Sequence, residues 1–275
     1  MSAREGDFEL ITLRNGHRAV RHVPSGEVMH PSVGPWEEAN ALYVEQLGLA
    51  ARLQVAGPAV RVFDVGLGAG TNAIAALACA TELGVLQQRR LEIVSFERDL
   101  GPLKLALADP EGFPAQARFH RAAQTLVEQG SWECEQVRWR LELGEVLARL
   151  PEAGRAELVF FDPFSPEVNP SLWTVDALKQ LRAHCDDTET LLATYSAATP
   201  TRLSFLLAGF FVGQGVPVGT KKETTVAATR NGLLAKPLGL PFLERWRRSS
   251  ARAPHGEALS PGREREIENL FIQGA

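Results

Sequence analysis

The sequence predicts an α/β fold: a doubly wound, mostly parallel seven-stranded sheet preceded by an N-terminal β-hairpin and helix extension. Three observations carry this. Short apolar runs at residues 59–65, 91–96, 137–143, 158–161 and 190–194 alternate with helix-like stretches, and such alternation folds as parallel strands with right-handed crossovers. A glycine-rich turn, Gly66-Leu67-Gly68-Ala69-Gly70, joins the first of these runs to an Ala-rich helix. Two last runs, 210–216 and 224–229, close the sheet as an antiparallel pair.

Each element has its own signal. In residues 8–22, Phe8, Leu10 and Thr12 alternate with Glu9, Ile11 and Leu13, and Asn15-Gly16 supplies a two-residue turn. Leu42, Tyr43, Leu47, Leu49 and Leu53 give a rough helical stripe over 37–53, ended by Gly57-Pro58. Helices are expected over 71–83, 103–108, 145–150 and 175–184. Another is expected from Thr199 to Gly209, with Thr199 as N-cap and Pro200 at the first helical position. Beyond Asn231-Gly232 the periodicity fades among prolines and Arg245, Arg247, Arg248 and Arg252. The expected division is therefore an extension over 1–57, a ligand-binding domain over 58–230 and a peripheral Arg/Pro-rich tail over 231–275. The closing ENLFIQGA resembles a protease-tag remnant, reads equally as native sequence, and is set aside from the expected fold.

Of the 275 residues, 45% are hydrophobic and 23% charged, which excludes a wholly disordered, collagen-like or coiled-coil chain. Cys79, Cys134 and Cys185 are scattered and odd in number, with no C-x-x-C pair. Neither a disulfide framework nor a zinc site is expected, and a reducing, cytoplasmic setting is. Met1 leads into the polar SAREGDFE, which is no signal peptide, and no apolar run reaches the length of a membrane span. A formal charge of −4 argues against a non-specific nucleic-acid coat but is compatible with a local RNA-binding patch.

The chemistry begins at Asp64-Val65-Gly66-Leu67-Gly68-Ala69-Gly70-Thr71. Glycines after a strand permit a tight turn and close approach of a ligand to the backbone. A dinucleotide fingerprint would need Gly or Ala where Thr71 stands. The D-x-G-x-G-x-G pattern instead resembles the first motif of class I S-adenosylmethionine-dependent methyltransferases, which implies that Asp64, Gly66, Gly68 and Gly70 meet the cofactor. The plainer alternative is a ligand-free turn. Glu97 ends the second strand, where a carboxylate can take both ribose hydroxyls and would repel a 2′-phosphate; a helix N-cap is its plain alternative. Glu145 follows the third strand, near the adenine by the same resemblance, or starts a helix whose dipole it favours.

The fourth strand ends in Asp162-Pro163-Phe164-Ser165, partly similar to the D-P-P-F/Y loop of amine methyltransferases. Amine methylation needs a neutral nitrogen aimed at the methyl group, and a carboxylate beside a rigid carbonyl can orient it. A loop-capping Asp is the alternative.

A closer resemblance follows from longer blocks. Residues 161–174, FDPFSPEVNPSLWT, resemble the D-G/P-F-A/S-P-x-x-N-P-x-x-W segment of MnmC/MnmD-type tRNA methyltransferases. HPSVGPWEE at 30–38, SFE at 95–97, ATYSAA at 193–198 and GTKKE at 219–223 resemble further blocks of that family, in order. Departures are Asp64 where the family often has Glu, Pro163-Phe164-Ser165-Pro166 in place of G-F-A-P, and Pro31. The resemblance implies methyl transfer from S-adenosyl-L-methionine to the exocyclic amine of 5-aminomethyl-(2-thio)uridine at the tRNA wobble position. Asp162 would orient the amine, and Glu38, Trp173, Tyr195, Lys221 and Lys222 would lie on the substrate side. Trp173 and Tyr195 would stack on a flipped-out base, unless they are core aromatics. The family's flavin-dependent oxidase half has no counterpart in these residues, which leaves that step to a separate partner. Two other readings stay open. One is an aminopropyltransferase of the spermidine synthase type, disfavoured by the N-P-x-x-W block. The other is a non-catalytic RNA-binding protein, which would not need Glu97 and Asp162.

Overall fold

The computed structural model describes residues 3–272 except 15, 30–33 and 220. The chain begins with β1 (Arg4–Glu5), β2 (Phe8–Thr12) and β3 (Arg18–His22), a small antiparallel sheet in that order. Asn15, half of the expected turn, lies outside the described residues. The helical stripe over 37–53 is divided into α1 (Pro35–Ala39), a π-helical turn (Asn40–Glu45) and α2 (Leu49–Leu53). Gly48, left-handed at φ 67°, makes the second break; only glycine takes that conformation at no steric cost.

The main domain follows as β4 (Val60–Val65), α3 (Thr71–Leu83), β5 (Leu91–Glu97), α4 (Gly101–Ala108), α5 (Pro114–Arg118), α6 (His120–Gln129), β6 (Ser131–Glu133) and β7 (Val137–Leu143). It continues with α7 (Val146–Ala153), β8 (Leu158–Phe161), α8 (Val175–Ala183), β9 (Leu191–Thr194), α9 (Thr199–Leu207), β10 (Phe211–Gly215) and β11 (Thr224–Ala228). The sheet order is β10-β11-β9-β8-β4-β5-β7-β6, with β11 and β6 antiparallel to their neighbours. Among the described residues it therefore has eight strands, not the expected seven. The additional β6 is a three-residue edge strand folded back on β7, too short to announce itself by alternation. The N-cap of α9 is Ala198, with Thr199 already inside the helix and no side-chain cap, so the expected Thr cap is corrected.

Period-two alternation decides what each face of the sheet buries. Val62, Ile93, Leu158 and Phe160 join one cluster with α2, α3 and α6, while Phe63, Val94, Val159 and Phe161 join another with α7, α8 and α9. The chain leaves β4 toward β5 on one side and returns through β8 on the other. The crevice where order reverses therefore opens at the carboxyl ends of β4, β5 and β8, the usual ligand position in an open α/β sheet.

Residues 231–275, expected as a peripheral tail, hold α10 (Leu240–Arg248) and α11 (Pro261–Ile272). Phe242, Leu243, Trp246, Ile267 and Phe271 are buried against Val175, Leu203 and Leu207, so the region set aside as tag-like adds to a third core cluster. Between β11 and α10 the chain runs beside β10: Gln214 N donates to the Lys236 carbonyl and Leu238 N to the Val212 carbonyl, each at 2.8 Å.

Candidate active site

The crevice holds a cavity of about 810 Å³. Gly66 and Gly68 line its floor, at φ 90° and 53°. A Cβ on Gly66 would lie 2.6 Å from the Asp162 carbonyl oxygen, so two loops from adjacent strands meet there with no room for a side chain. Gly70, at φ 82°, is the left-handed residue from which α3 starts. It does not line the cavity and acts by shaping the turn.

Glu97 ends β5 and binds this loop. Its carboxylate accepts from Gly68 N at 2.9 Å, Arg98 N at 2.7 Å and Asp99 N at 3.2 Å. Burial raises its pKa, opposed by those three amides and by the Arg98 charge. Asp64, expected at the cofactor, is corrected. Its side chain is fully buried behind the loop and away from the cavity, accepting from Ser95 Oγ at 2.7 Å, which in turn accepts from Trp139 Nε1 at 2.9 Å. Burial pushes its carboxyl up to about 8, so it is a largely neutral group that fixes three strands together.

Asp162 follows β8 and lines the cavity. Its Oδ2 accepts from Asn72 Nδ2 at 2.7 Å. Asn72 stands in the first turn of α3, directly after the glycine motif, and is buried. That position is its one signal in the sequence. Tyr43, from the π-helical turn, is fully buried close by. Burial first, then the charges of Asp162 and Glu38, holds its hydroxyl well above the ordinary value of 10. Glu38 is only 6% exposed and lines the same cavity.

The Pro163 and Phe164 carbonyls are each held from behind. Tyr195 Oη donates to Pro163 O at 3.2 Å, and Trp173 Nε1 donates to Phe164 O at 2.9 Å. Tyr195 lines the cavity, and the Lys221 ammonium lies 4.5 Å from its ring centroid. Trp173 does not. It is fully buried, edge-on to Phe161 and Tyr195, so the expected stacking on a base is corrected to a packing and loop-holding role. Lys222 lines a shallower neighbouring depression with Lys221 and Ser196, outside the main cavity. Glu145 lines the cavity rim, 3.5 Å from Arg98. Arg245 and Arg247 pair with Glu223 and Glu268.

The N-terminal hairpin supplies the roof, which no motif announced. Phe8, His22, Glu27 and Met29 line the cavity. Glu27 accepts from Ser165 N at 3.0 Å and Ser165 Oγ at 2.8 Å, and Phe8 and His22 lie against the Phe164 ring. His30, Pro31, Ser32 and Val33 of the approach segment, and Thr220 of the later turn, lie outside the described residues.

The side-chain-free floor at Gly66 and Gly68, the acid at 97 and the surplus of carboxylates over Arg98 and Lys221 suit a nucleoside ligand carrying positive charge. Among the described residues no group of His, Cys, Asp and Glu could hold a metal, and no helix is long and apolar enough to cross a membrane.

Comparison with known proteins agrees. A family model described as S-adenosyl-L-methionine-dependent methyltransferase matches residues 115–230. The tRNA 5-methylaminomethyl-2-thiouridine biosynthesis bifunctional protein MnmC of Ralstonia nicotianae is 29% identical over 236 residues, 83% of this chain and 34% of that protein. Its namesake in Paracidovorax citrulli is 32% identical over 212 residues, 74% of this chain and 32% of the relative. The chain thus spans about a third of the length of these relatives. The crystal structure of MNMC2 from Aquifex aeolicus superposes with a TM-score of 0.71 at 23% identity, covering 99% of this chain and 84% of that one, and shows the same fold. The family model and the relatives fit an S-adenosyl-L-methionine-dependent methyltransferase of the MnmC/MnmD type, and the solved structure shows the same fold.

Proposed function

We propose that the protein methylates the exocyclic amine of 5-aminomethyl-(2-thio)uridine at the wobble position of tRNA. One observation carries this: Asp162, backed by Asn72, lies in the cavity where its loop touches the glycine floor. An acceptor amine bound there meets a carboxylate within reach of the cofactor. The names of the bifunctional relatives supply the nucleoside.

S-adenosyl-L-methionine, when bound, supplies an electrophilic methyl group. Gly66 and Gly68 would admit it, Glu97 would hold its ribose, and Glu145 would lie at the adenine side. Asp162 would orient the incoming amine and collect the proton it loses, directly or through water. Tyr195 and Glu38 would wall the acceptor end, while Lys221 and Lys222 would meet the phosphates flanking the nucleoside. The hairpin roof would exclude water, and most of the rate would come from positioning. A tRNA substrate implies work in the cytoplasm.

The test is incubation with labelled S-adenosyl-L-methionine and bulk tRNA from cells lacking the wobble methyltransferase, followed by nucleoside analysis. Label in the methylaminomethyl nucleoside is expected. Unlabelled tRNA from a protein that still binds S-adenosylhomocysteine would overturn the acceptor assignment.

A further inference from the structure

The loop bearing Asp162 is held by two aromatic donors, and both lead to a residue far away in sequence. Trp173 donates to Phe164 O, Tyr195 to Pro163 O, and the two rings meet edge-on at 6.0 Å. On its other side, Trp173 meets the His255 ring at 6.1 Å and 62°.

His255 comes from the connection between α10 and α11 and is fixed at three points. Its backbone N donates to Ser204 Oγ at 3.0 Å. Its Nε2 lies 3.0 Å from Thr201 Oγ1, which lies 3.1 Å from Ser196 Oγ, next to Tyr195. Gly256, at φ 74°, lies so close to Thr174 that a Cβ there would come within 2.8 Å of Thr174 Cγ2. The chain of hydroxyls can run in either direction, since a neutral imidazole donates or accepts at Nε2.

We infer that His255 is a positioning residue for the acceptor loop: it buttresses Trp173 on one side and the Tyr195-Ser196 strand end on the other, so that the C-terminal segment sets where Asp162 stands. Two features separate this from plain core filling. The contact is a continuous hydrogen-bond chain that ends at the strand end carrying Tyr195. Trp173 spends its single donor on the loop and not on its helical neighbours. A buttress of this kind matters to catalysis because a small misplacement of a reacting group is costly even when the fold is intact.

The role as acceptor loop rests on the function proposed above, so the test has a readout that does not need the acceptor. Hydrogen exchange would be followed over residues 162–169 in the unaltered protein, His255→Ala and His255→Gln. His255→Ala should speed exchange there, and His255→Gln, whose amide nitrogen can replace Nε2 toward Thr201, should restore it. With tRNA as acceptor, His255→Ala should lower kcat/KM on the order of 10-fold to 100-fold, as a displaced reacting group does. S-adenosylhomocysteine affinity should stay within about twofold, because the glycine floor is untouched. Unchanged exchange over 162–169 in His255→Ala, or a Gln variant no better than Ala, would overturn the inference. Failure of the unaltered protein to methylate tRNA would count only against the acceptor, since the exchange result stands by itself.

Discussion

Asp162 combines a charge with a neighbour that fixes it. Asn72 Nδ2 donates to its Oδ2, so Asp162→Asn can keep that bond and the side-chain shape while losing charge and basicity. Turnover in single-turnover methylation should fall on the order of 10²-fold or more, with cofactor affinity by calorimetry changed far less. A near-normal rate across pH would make Asp162 a loop cap. Asp64 makes a different prediction. Its carboxyl is raised from the ordinary 3.8 to about 8 by burial, so the folded state holds a proton that the unfolded state releases. The stability this contributes is complete below about pH 4 and is lost as pH rises to about 8. Stability measured by thermal unfolding should therefore fall across that window by on the order of a few kcal/mol. Asp64→Asn, the neutral isostere, should flatten the profile.

At the scale of elements, the glycine turn is constrained from both sides. A methyl group on Gly66 would need φ near 90° and would press within 2.6 Å of the Asp162 carbonyl. Gly66→Ala should cost about 1–3 kcal/mol from the backbone alone, and it should abolish calorimetric binding of S-adenosylhomocysteine by displacing the loop. The turn was legible in the sequence because its glycines, its strand and its helix are contiguous. The strands were legible for the same reason: 91–96 and 137–143 alternate or run apolar over short, bounded lengths. Asn72 and Glu27 were not, since nothing local marks an Asn in the first turn of a helix or an acid after a hairpin. Their roles exist only once α3 reaches β8 and the hairpin reaches Ser165. For Trp173 the sequence left base stacking and core packing both open, because a block of family residues gives identity without saying which side of a wall each one occupies.

Across the whole molecule, charge is distributed against the net value. The formal charge is −4, the cavity is acidic, and Arg245 and Arg247 are already paired with acids. Binding of tRNA would then rest on few cations, Lys221 and Lys222 first. Association should still weaken linearly on a logarithmic salt scale, with a slope of about −0.9 for each phosphate contact in duplex regions and about −0.7 in single strands. Titration at several ionic strengths measures it, and Lys222→Ala should reduce the slope by about one contact. Binding indifferent to salt would exclude a phosphate-tracking surface.

The segment that runs beside β10 has a consequence for how copies of the protein treat one another. A strand at the end of a sheet offers open amides and carbonyls to any passing chain. At one end, β6 is only three residues long, and its Glu133 is paired with Arg90, a short and charged edge. At the other end, β10 would be a five-residue template were it not occupied by the Lys236 carbonyl and the Leu238 amide. That occupancy shields the sheet from recruitment into intermolecular ladders. Leu238→Pro removes the amide and should leave Val212 free to pair with another molecule, seen as concentration-dependent self-association in sedimentation. Leu238→Ala keeps the amide and should sediment like the unaltered chain; if both variants associate alike, the lost side chain and not the opened edge is responsible.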